Sequence, residues 1–469
     1  MNLKVSELAA ACGGRILCGD PQDAVTSVTT DSREVSPGAL FVPIRGGRVD
    51  AHNFILSAFR SGAAAVLTQE HEEADGPRAW IAVGDTRQAL QGIAAAYRAQ
   101  FRLPVVGVTG SVGKTSTKEM IALALSAGMT VMKTLGNNNS QIGVPLTMFR
   151  LSEDFGAAVV EMGMSEFGEM SRIAAVAAPD MAVMTNIGVS HIEQLGSREN
   201  ILREKLHITD RFHEGSVLFL NGDDDLLRSV AGTVPFETVL FGTSPDCAFR
   251  AERVETVGDS TWFHYAAPGG AQGEVRIPAI GRHHVLNALA GLAVAQRLGV
   301  PLPHAAQALA QYRAPAMRQQ IRRANGITVI DDSYNSSPDS AKSSLGVLSS
   351  LGGGRRVAVL ADMLELGAYS GRGHREVGAF AARSGIDLLV TVGERAGQIA
   401  EGALEVCPAL DCHVCKDNAQ ACGILKTVLQ TGDVVLVKGS RGMRTEEIVA
   451  MLLDPEGFAD KPAARSTVL

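Results

Sequence analysis

Thr109-Gly-Ser-Val-Gly-Lys-Thr-Ser116 is the stretch of this sequence best equipped for chemistry. It follows the apolar run 103–108 and leads into a helical pattern, so it is a glycine-rich turn between a strand and a helix N-terminus. Gly110 and Gly113 permit positive φ, which lets successive backbone N–H groups converge on phosphate oxygens. Lys114 adds a point charge for the β- and γ-phosphates, and the Thr115 hydroxyl is a hard ligand for Mg²⁺. Thr109, Gly110, Ser111, Gly113, Lys114, Thr115 and Ser116 are therefore the candidate nucleotide-binding residues. The strict phosphate-loop pattern has its first glycine six residues before the lysine. Here Val108 holds that place, with Gly107 one position earlier. Glu161, at the end of a strand-like run, is a second hard oxygen ligand suited to Mg²⁺.

Elements able to hold such residues follow from length and periodicity. A chain of 469 residues predicts about three domains of ~150 residues each. Residues 1–102 mix short strands and helices, including a helix near Ala89–Gln100, as a small mixed α/β unit. Residues 103–314 alternate strands, among them Ala157–Glu161, Ala182–Asn186 and Val217–Asn221, with amphipathic helices, the pattern of a central P-loop ATPase-like parallel sheet. Within them 236–280 turns β-rich, as an insertion or an antiparallel edge. Residues 315–469 restart the βαβ rhythm as a Rossmann-like α/β domain, with Ile327–Asp331, Val357–Ala361, Leu388–Val392 and Val434–Lys438 as strands. The tail after Pro455 lacks periodicity and is expected to be loose.

Composition narrows the partners. The net charge is −7, with 43 Lys+Arg against 50 Asp+Glu and no basic run, which argues against a nucleic-acid binder. No basic segment leads into an apolar core at the N-terminus, and no apolar run reaches the ~18 residues of a membrane span, so a cytoplasmic chain without membrane insertion is expected. Seven scattered cysteines fit reduced thiols. Cys412-x-x-Cys415 lacks a second C-x-x-C and reads as packing rather than a zinc or redox site.

Beyond the cradle, Asn137-Asn-Asn-Ser-Gln-Ile-Gly-Val-Pro145, Glu161-Met-Gly-Met-Ser-Glu166, Thr185-Asn-Ile-Gly-Val-Ser-His191 and Gly281-Arg-His-His-Val-Leu-Asn287 resemble the Mur ligases of peptidoglycan synthesis, ATP-dependent amide-bond-forming enzymes of three domains. Asp331-Asp-Ser-Tyr-Asn-Ser-Ser-Pro338, Asp362-Met-Leu-Glu-Leu-Gly367 and His374-Arg-Glu-Val-Gly378 are most similar to the member that adds D-alanyl-D-alanine to UDP-N-acetylmuramoyl-tripeptide. The resemblance implies transfer of the ATP γ-phosphoryl to the tripeptide carboxylate, then attack by an amine on the acyl phosphate. It implies catalytic roles for Lys114, Lys205, His191 and Arg318. His191 would ligate a second Mg²⁺, and Lys205 would serve as a carbamate. Asn287, one helical turn from His283, would read the adenine edge, although His284 stands where the family usually has Asn. Arg318 would reach the ATP phosphates and Asp332 the nucleotide or ribose.

In the first domain, Asp31-Ser-Arg33, Pro37–Phe41 and Gly46–Phe54 resemble a UDP-binding module, with Ser32 and Arg33 on uridine or diphosphate and Ala51 where Gly is common. Asn138 and Asn139 would contact substrate, and Lys438 and Ser440 would receive the dipeptide. A monomer is expected. Two alternatives stand beside this reading. A sister ligase adding the third amino acid would usually show Asp-Asn-Pro-Arg, which this sequence lacks. A P-loop switch or motor would hydrolyse ATP with no acceptor.

Overall fold

The computed structural model describes residues 1–47 and 49–454; Arg48, inside the 46–54 motif, and the tail after Pro455 lie outside them. Three large sheets, of five, nine and six strands, organise three α/β domains. The five-stranded sheet runs Arg15–Cys18, Ala79–Ala82, Ala65–Thr68, Ala39–Phe41, Ser27–Thr29, parallel except for the first pair. The helix read at Ala89–Gln100 spans Thr86–Arg98, and its N-cap Asp85 accepts from Gln88 N.

In the nine-stranded sheet, Val105–Thr109, Ala157–Glu161 and Val217–Asn221 are buried along their whole length. Near-continuous apolar runs of this kind belong to parallel strands covered on both faces, each buried Val or Leu contributing about 1.5–3 kcal/mol. Every one of the three ends on a polar residue, Thr109, Glu161 or Asn221, at its C-terminal end. Val105–Thr109 lies between Ala157–Glu161 on one side and Met181–Met184 on the other. The chain reverses its direction of travel across the sheet there, which opens a crevice at the carboxyl ends.

The strand read as Ala182–Asn186 stops at Met184. Asn186 leaves the ladder because its amide is spent on the phosphate cradle, accepting from Val112 N at 2.9 Å and donating to Val112 O at 2.9 Å. For 236–280 the antiparallel edge is what forms. Glu237–Gly242 extends the parallel sheet, and Phe249–Val257, Ser260–Ala267 and Ala271–Ile277 close it with antiparallel hairpins.

The six-stranded sheet runs Gln320–Ala324, Ile327–Asp332, Val434–Lys438, Arg356–Ala361, Leu388–Val392, Asp411–Cys415. Only its first pair is antiparallel. Here too strands end on charge, Asp332 and Lys438. Cys415 and Cys422 pack in this domain's core with Val390 and Leu425. No helix among the described residues is long and apolar enough to cross a membrane.

Candidate active site

A cleft of about 970 Å³ lies between the carboxyl ends of the nine- and six-stranded sheets. Its floor is the turn after Val105–Thr109. Gly110 has φ 149°, and a Cβ there would stand 1.9 Å from Thr185 Oγ1. Gly113, at φ 85°, caps helix Lys114–Leu125, so the helix N-terminus opens into the cleft. Gly110→Ala is expected to lower stability by about 1–3 kcal/mol and to weaken nucleotide binding at least tenfold. Calorimetric unfolding and ADP titration check this.

Lys114 Nζ donates to Gly110 O at 2.8 Å, folded over its own turn. Burial pushes its pKa down, partly offset by Glu161 and reinforced by Arg318 across the cleft. Thr115 Oγ1 donates to Glu161 Oε1 at 3.1 Å, and Asn139 Nδ2 donates to the same oxygen at 2.7 Å. Glu161 is 1% exposed, yet among the described residues its Oε2 accepts no hydrogen bond, and Lys118 Nζ comes no nearer than 3.9 Å. A buried carboxylate oxygen left without a donor costs about 1–3 kcal/mol. Beside a threonine hydroxyl, it forms a hard oxygen pair that fits Mg²⁺.

His191 holds φ 63° in the turn following Met181–Met184, and its Nδ1 lies 2.7 Å from Glu365 Oε2 of the third domain. That imidazole holds the Glu365 carboxyl below its usual range. Lys205, on helix Arg198–Leu206, is 1% exposed, and no hydrogen bond reaches its Nζ among the described residues. Burial, then the neighbouring Lys114 charge, drives its pKa well below the ordinary lysine value, with Glu204 opposing.

Arg318 stacks over the Tyr334 ring at 4.0 Å, between Met317 at φ 58° and Gln319 at φ 52°. Left-handed non-glycine residues are disfavoured by roughly 1–2 kcal/mol each, so the surrounding fold holds this segment in place. Asn287 lines the cleft; its Oδ1 accepts from Thr117 Oγ1 at 2.9 Å, and its Nδ2 is buried without a partner among the described residues. His284 is 2% exposed, rests against Tyr312 and does not line the cleft, so the departure from Asn at that position lies in the core.

The cleft wall gathers Ser111, Gly113, Lys114, Thr115, Ser116, Asn139, Glu161, His191, Asn287, Arg318, Asp332 and Lys438. Thr109, Gly110, Lys205, Asn138 and Ser440 sit outside that wall, as do Ser32 and Arg33. Arg33 is paired with Asp31, whose carboxyl it pulls down to about 2. Lys438 is already satisfied, with Nζ donating to Asp332 Oδ2 at 2.6 Å and Asn335 O at 2.9 Å. Asp332 also accepts from Ser344 Oγ and Gln319 N, and Ser440 Oγ accepts from Leu364 N. Lys438, Asp332 and Ser440 therefore brace one another's loops.

Asn186 and Asp339 line the cleft without having been singled out from sequence, while Lys118, 3.9 Å from Glu161, and Glu365, against His191, lie outside its wall. Lys118 stands one turn after Lys114, a spacing that would have marked it. Asp339 Oδ2 accepts from Val189 N at 3.2 Å across the domain boundary, and a Cβ on Gly188 would lie 2.1 Å from that oxygen. Gly188→Ala is expected to part the two domains, seen as a larger radius of gyration by X-ray scattering with an unchanged circular dichroism spectrum.

Comparison with known proteins bears on this architecture. Residues 24–98 match the model for the Mur ligase family, catalytic domain; 108–295 match the Mur ligase middle domain; 317–441 match the Mur ligase, glutamate ligase domain. The UDP-N-acetylmuramoyl-tripeptide--D-alanyl-D-alanine ligase of Bacillus subtilis is 38% identical over 444 residues, 92% of this chain and 94% of that protein. That of Escherichia coli is 36% identical over 451 residues, 93% and 96% of the two chains. The crystal structure of MurF from Acinetobacter baumannii superposes with a TM-score of 0.89 at 30% identity, covering 97% of this chain and 99% of that one. MurF from Thermotoga maritima in complex with ADP gives 0.81 at 28% identity, covering 91% and 97%. With its three domains each matched in order, this chain belongs to the Mur ligase family.

Proposed function

We propose that this chain joins D-alanyl-D-alanine to UDP-N-acetylmuramoyl-tripeptide in an ATP-dependent ligase reaction of peptidoglycan synthesis. The observation that carries the reading is the cleft itself, where a phosphate cradle and a buried carboxylate oxygen without a donor face cationic side chains of a second domain. Relatives bearing that activity in their names, and a relative holding ADP, support it. We assign the UDP-substrate domain to residues 1–102, the ATP-binding domain to 103–314 and the dipeptide-receiving domain to 315–469. A monomer working in the cytoplasm completes the assignment.

A carboxylate and an amine do not condense until the carboxylate oxygen becomes a leaving group. The tripeptide carboxylate attacks the γ-phosphorus, an O–P bond forms, the bond to the β-phosphate oxygen breaks, and ADP departs. The amine nitrogen then attacks the acyl carbon, the C–N bond forms, the C–O bond to phosphate breaks, and a proton is released. Two anions meet in the first step, so neutralising and orienting them is the protein's task.

The cradle amides of 110–115 and Lys114 hold the β- and γ-phosphates, and Arg318 approaches from the third domain. Asn287 offers its unpaired amide to the adenine edge. Thr115 and Glu161 would hold one Mg²⁺, His191 and carbamylated Lys205 a second, and the bound ions would neutralise charge between nucleotide and carboxylate. Lys205 suits carbamylation because burial disfavours its charged form, and the neutral amine is the form that adds carbon dioxide, losing a proton as it becomes an anion. Asn138 and Asn139 contact the tripeptide. Ser32 and Arg33 hold the uridine diphosphate, and the loops braced by Lys438 and Ser440 receive the dipeptide.

Exchanging acceptors tests the reading. With UDP-N-acetylmuramoyl-tripeptide and ATP, D-alanyl-D-alanine is expected to give at least tenfold higher kcat/KM than a single D-alanine, since polar groups built for the second residue stay unpaired without it. Equal or better turnover with UDP-N-acetylmuramoyl-dipeptide plus lysine or diaminopimelate would transfer the chain to the sister activity.

A further inference from the structure

The dipeptide enters as an ammonium at neutral pH, and a cation needs a carboxylate to receive it at the point where the third domain meets the reacting centre. The carboxylates that line the cleft from that domain are engaged. Asp332 is bonded to Lys438 and Ser344, and Glu376 takes Lys342, Tyr369 and Arg372. Asp339 is bonded to the backbone of Val189.

Glu365 differs from all of these. Its side chain is 55% exposed, and among the described residues its carboxylate meets one side chain, the cleft-lining His191, at 2.7 Å. It is also firmly placed. Met363 N donates to His374 Nε2 at 3.0 Å, Leu364 N donates to Ser440 Oγ at 2.9 Å, and Leu366 is 1% exposed. Held between these anchors, Glu365 takes φ 61°, a strained conformation for a residue with a side chain. The strain directs a third-domain carboxylate to the central-domain residue beside which the acyl phosphate would form.

We propose that Glu365 is the group that receives the ammonium of the incoming D-alanyl-D-alanine and sets its nitrogen beside the acyl carbon, where the nitrogen gives up one proton to solvent before it attacks as the free amine. This rests on the ligase reading above. The His191 imidazole holds the place of that ammonium at the carboxylate, and the contact is exchanged when substrates enter. Glu365 therefore acts on the second half-reaction and leaves the first untouched.

Hydroxylamine separates the two halves, because it is uncharged at neutral pH and traps an acyl phosphate as a hydroxamate without needing a carboxylate to receive it. Wild type and Glu365→Gln are each given ATP, Mg²⁺ and UDP-N-acetylmuramoyl-tripeptide, with hydroxylamine or with D-alanyl-D-alanine. Glu365→Gln is expected to form hydroxamate at the wild-type rate, which also reports that it is folded. Its KM for D-alanyl-D-alanine should rise about 10- to 100-fold, the worth of one charged hydrogen bond, with the KM for ATP unchanged. Glu365→Asp should recover part of the affinity. An unchanged KM for the dipeptide in Glu365→Gln overturns the inference, and so does loss of hydroxamate together with dipeptide transfer. If the wild-type protein itself forms no hydroxamate, the ligase reading fails first and takes this inference with it.

Discussion

Lys114→Ala reduces ligation by roughly 10²- to 10³-fold or more while leaving thermal unfolding within a degree or two of wild type. The two halves of this expectation have separate causes. On the ligase reading the ammonium acts, among backbone dipoles, on charge that builds up only as the γ-phosphoryl moves, so its removal should be felt in kcat more than in nucleotide binding. Against that, the unliganded fold gains little from it. Burial already disfavours the charged form, and its one hydrogen bond, to Gly110 O, belongs to a carbonyl that water can reach once the side chain is gone. Phosphate release measured beside scanning calorimetry checks both halves, and a variant within tenfold of wild type would remove Lys114 from the chemistry.

Lys205 should show the opposite pairing of activity and stability. Burial drives its pKa well below 10.5, so between the folded-state pKa and 10.5 unfolding takes up a proton. The sign follows from that. The unfolded chain binds more protons between the folded-state pKa and 10.5, so stability rises with pH through that window and the penalty disappears above it. Lys205→Met removes the penalty and should be at least as stable as wild type at neutral pH, with a flatter dependence of stability on pH at alkaline pH. Activity should fall at least 100-fold, because methionine cannot become a carbamate. In Lys205→Ala, short-chain carboxylic acids should restore part of the activity by filling the space with an anion. Full activity in either variant would leave Lys205 as a packing residue.

Much of the frame was legible because it rests on local rules. Val105–Thr109, Ala157–Glu161 and Val217–Asn221 announce themselves as apolar runs closed by a polar residue, and Gly110 and Gly113 mark a turn that only glycine makes comfortably. What stayed hidden depends on pairs far apart in sequence. Asn186 reads as the last residue of a strand, but its side chain bonds Val112 and ends the strand early. Lys438 reads as a free cation for a carboxylate, and only the fold brings Asp332 to within 2.6 Å of it. Glu365 lay inside a quoted motif, yet neither charge nor periodicity distinguishes it until its left-handed backbone and His191 are seen together. Ser32 and Arg33 lie in the turn after strand Ser27–Thr29 of the five-stranded sheet, away from the sheet that carries the glycine-rich turn, and the span between them is set by how the domains pack, which no local pattern records.

Whether ATP cleavage here makes an amide bond is decided by counting ADP, phosphate and pentapeptide product in one reaction containing ATP, Mg²⁺, UDP-N-acetylmuramoyl-tripeptide and D-alanyl-D-alanine. One ADP and one phosphate for each UDP-N-acetylmuramoyl-pentapeptide, with little of either when the tripeptide is omitted, is the predicted result. ATP hydrolysis at the same rate without the tripeptide, and no pentapeptide, would contradict it and return the cradle to a switch or motor.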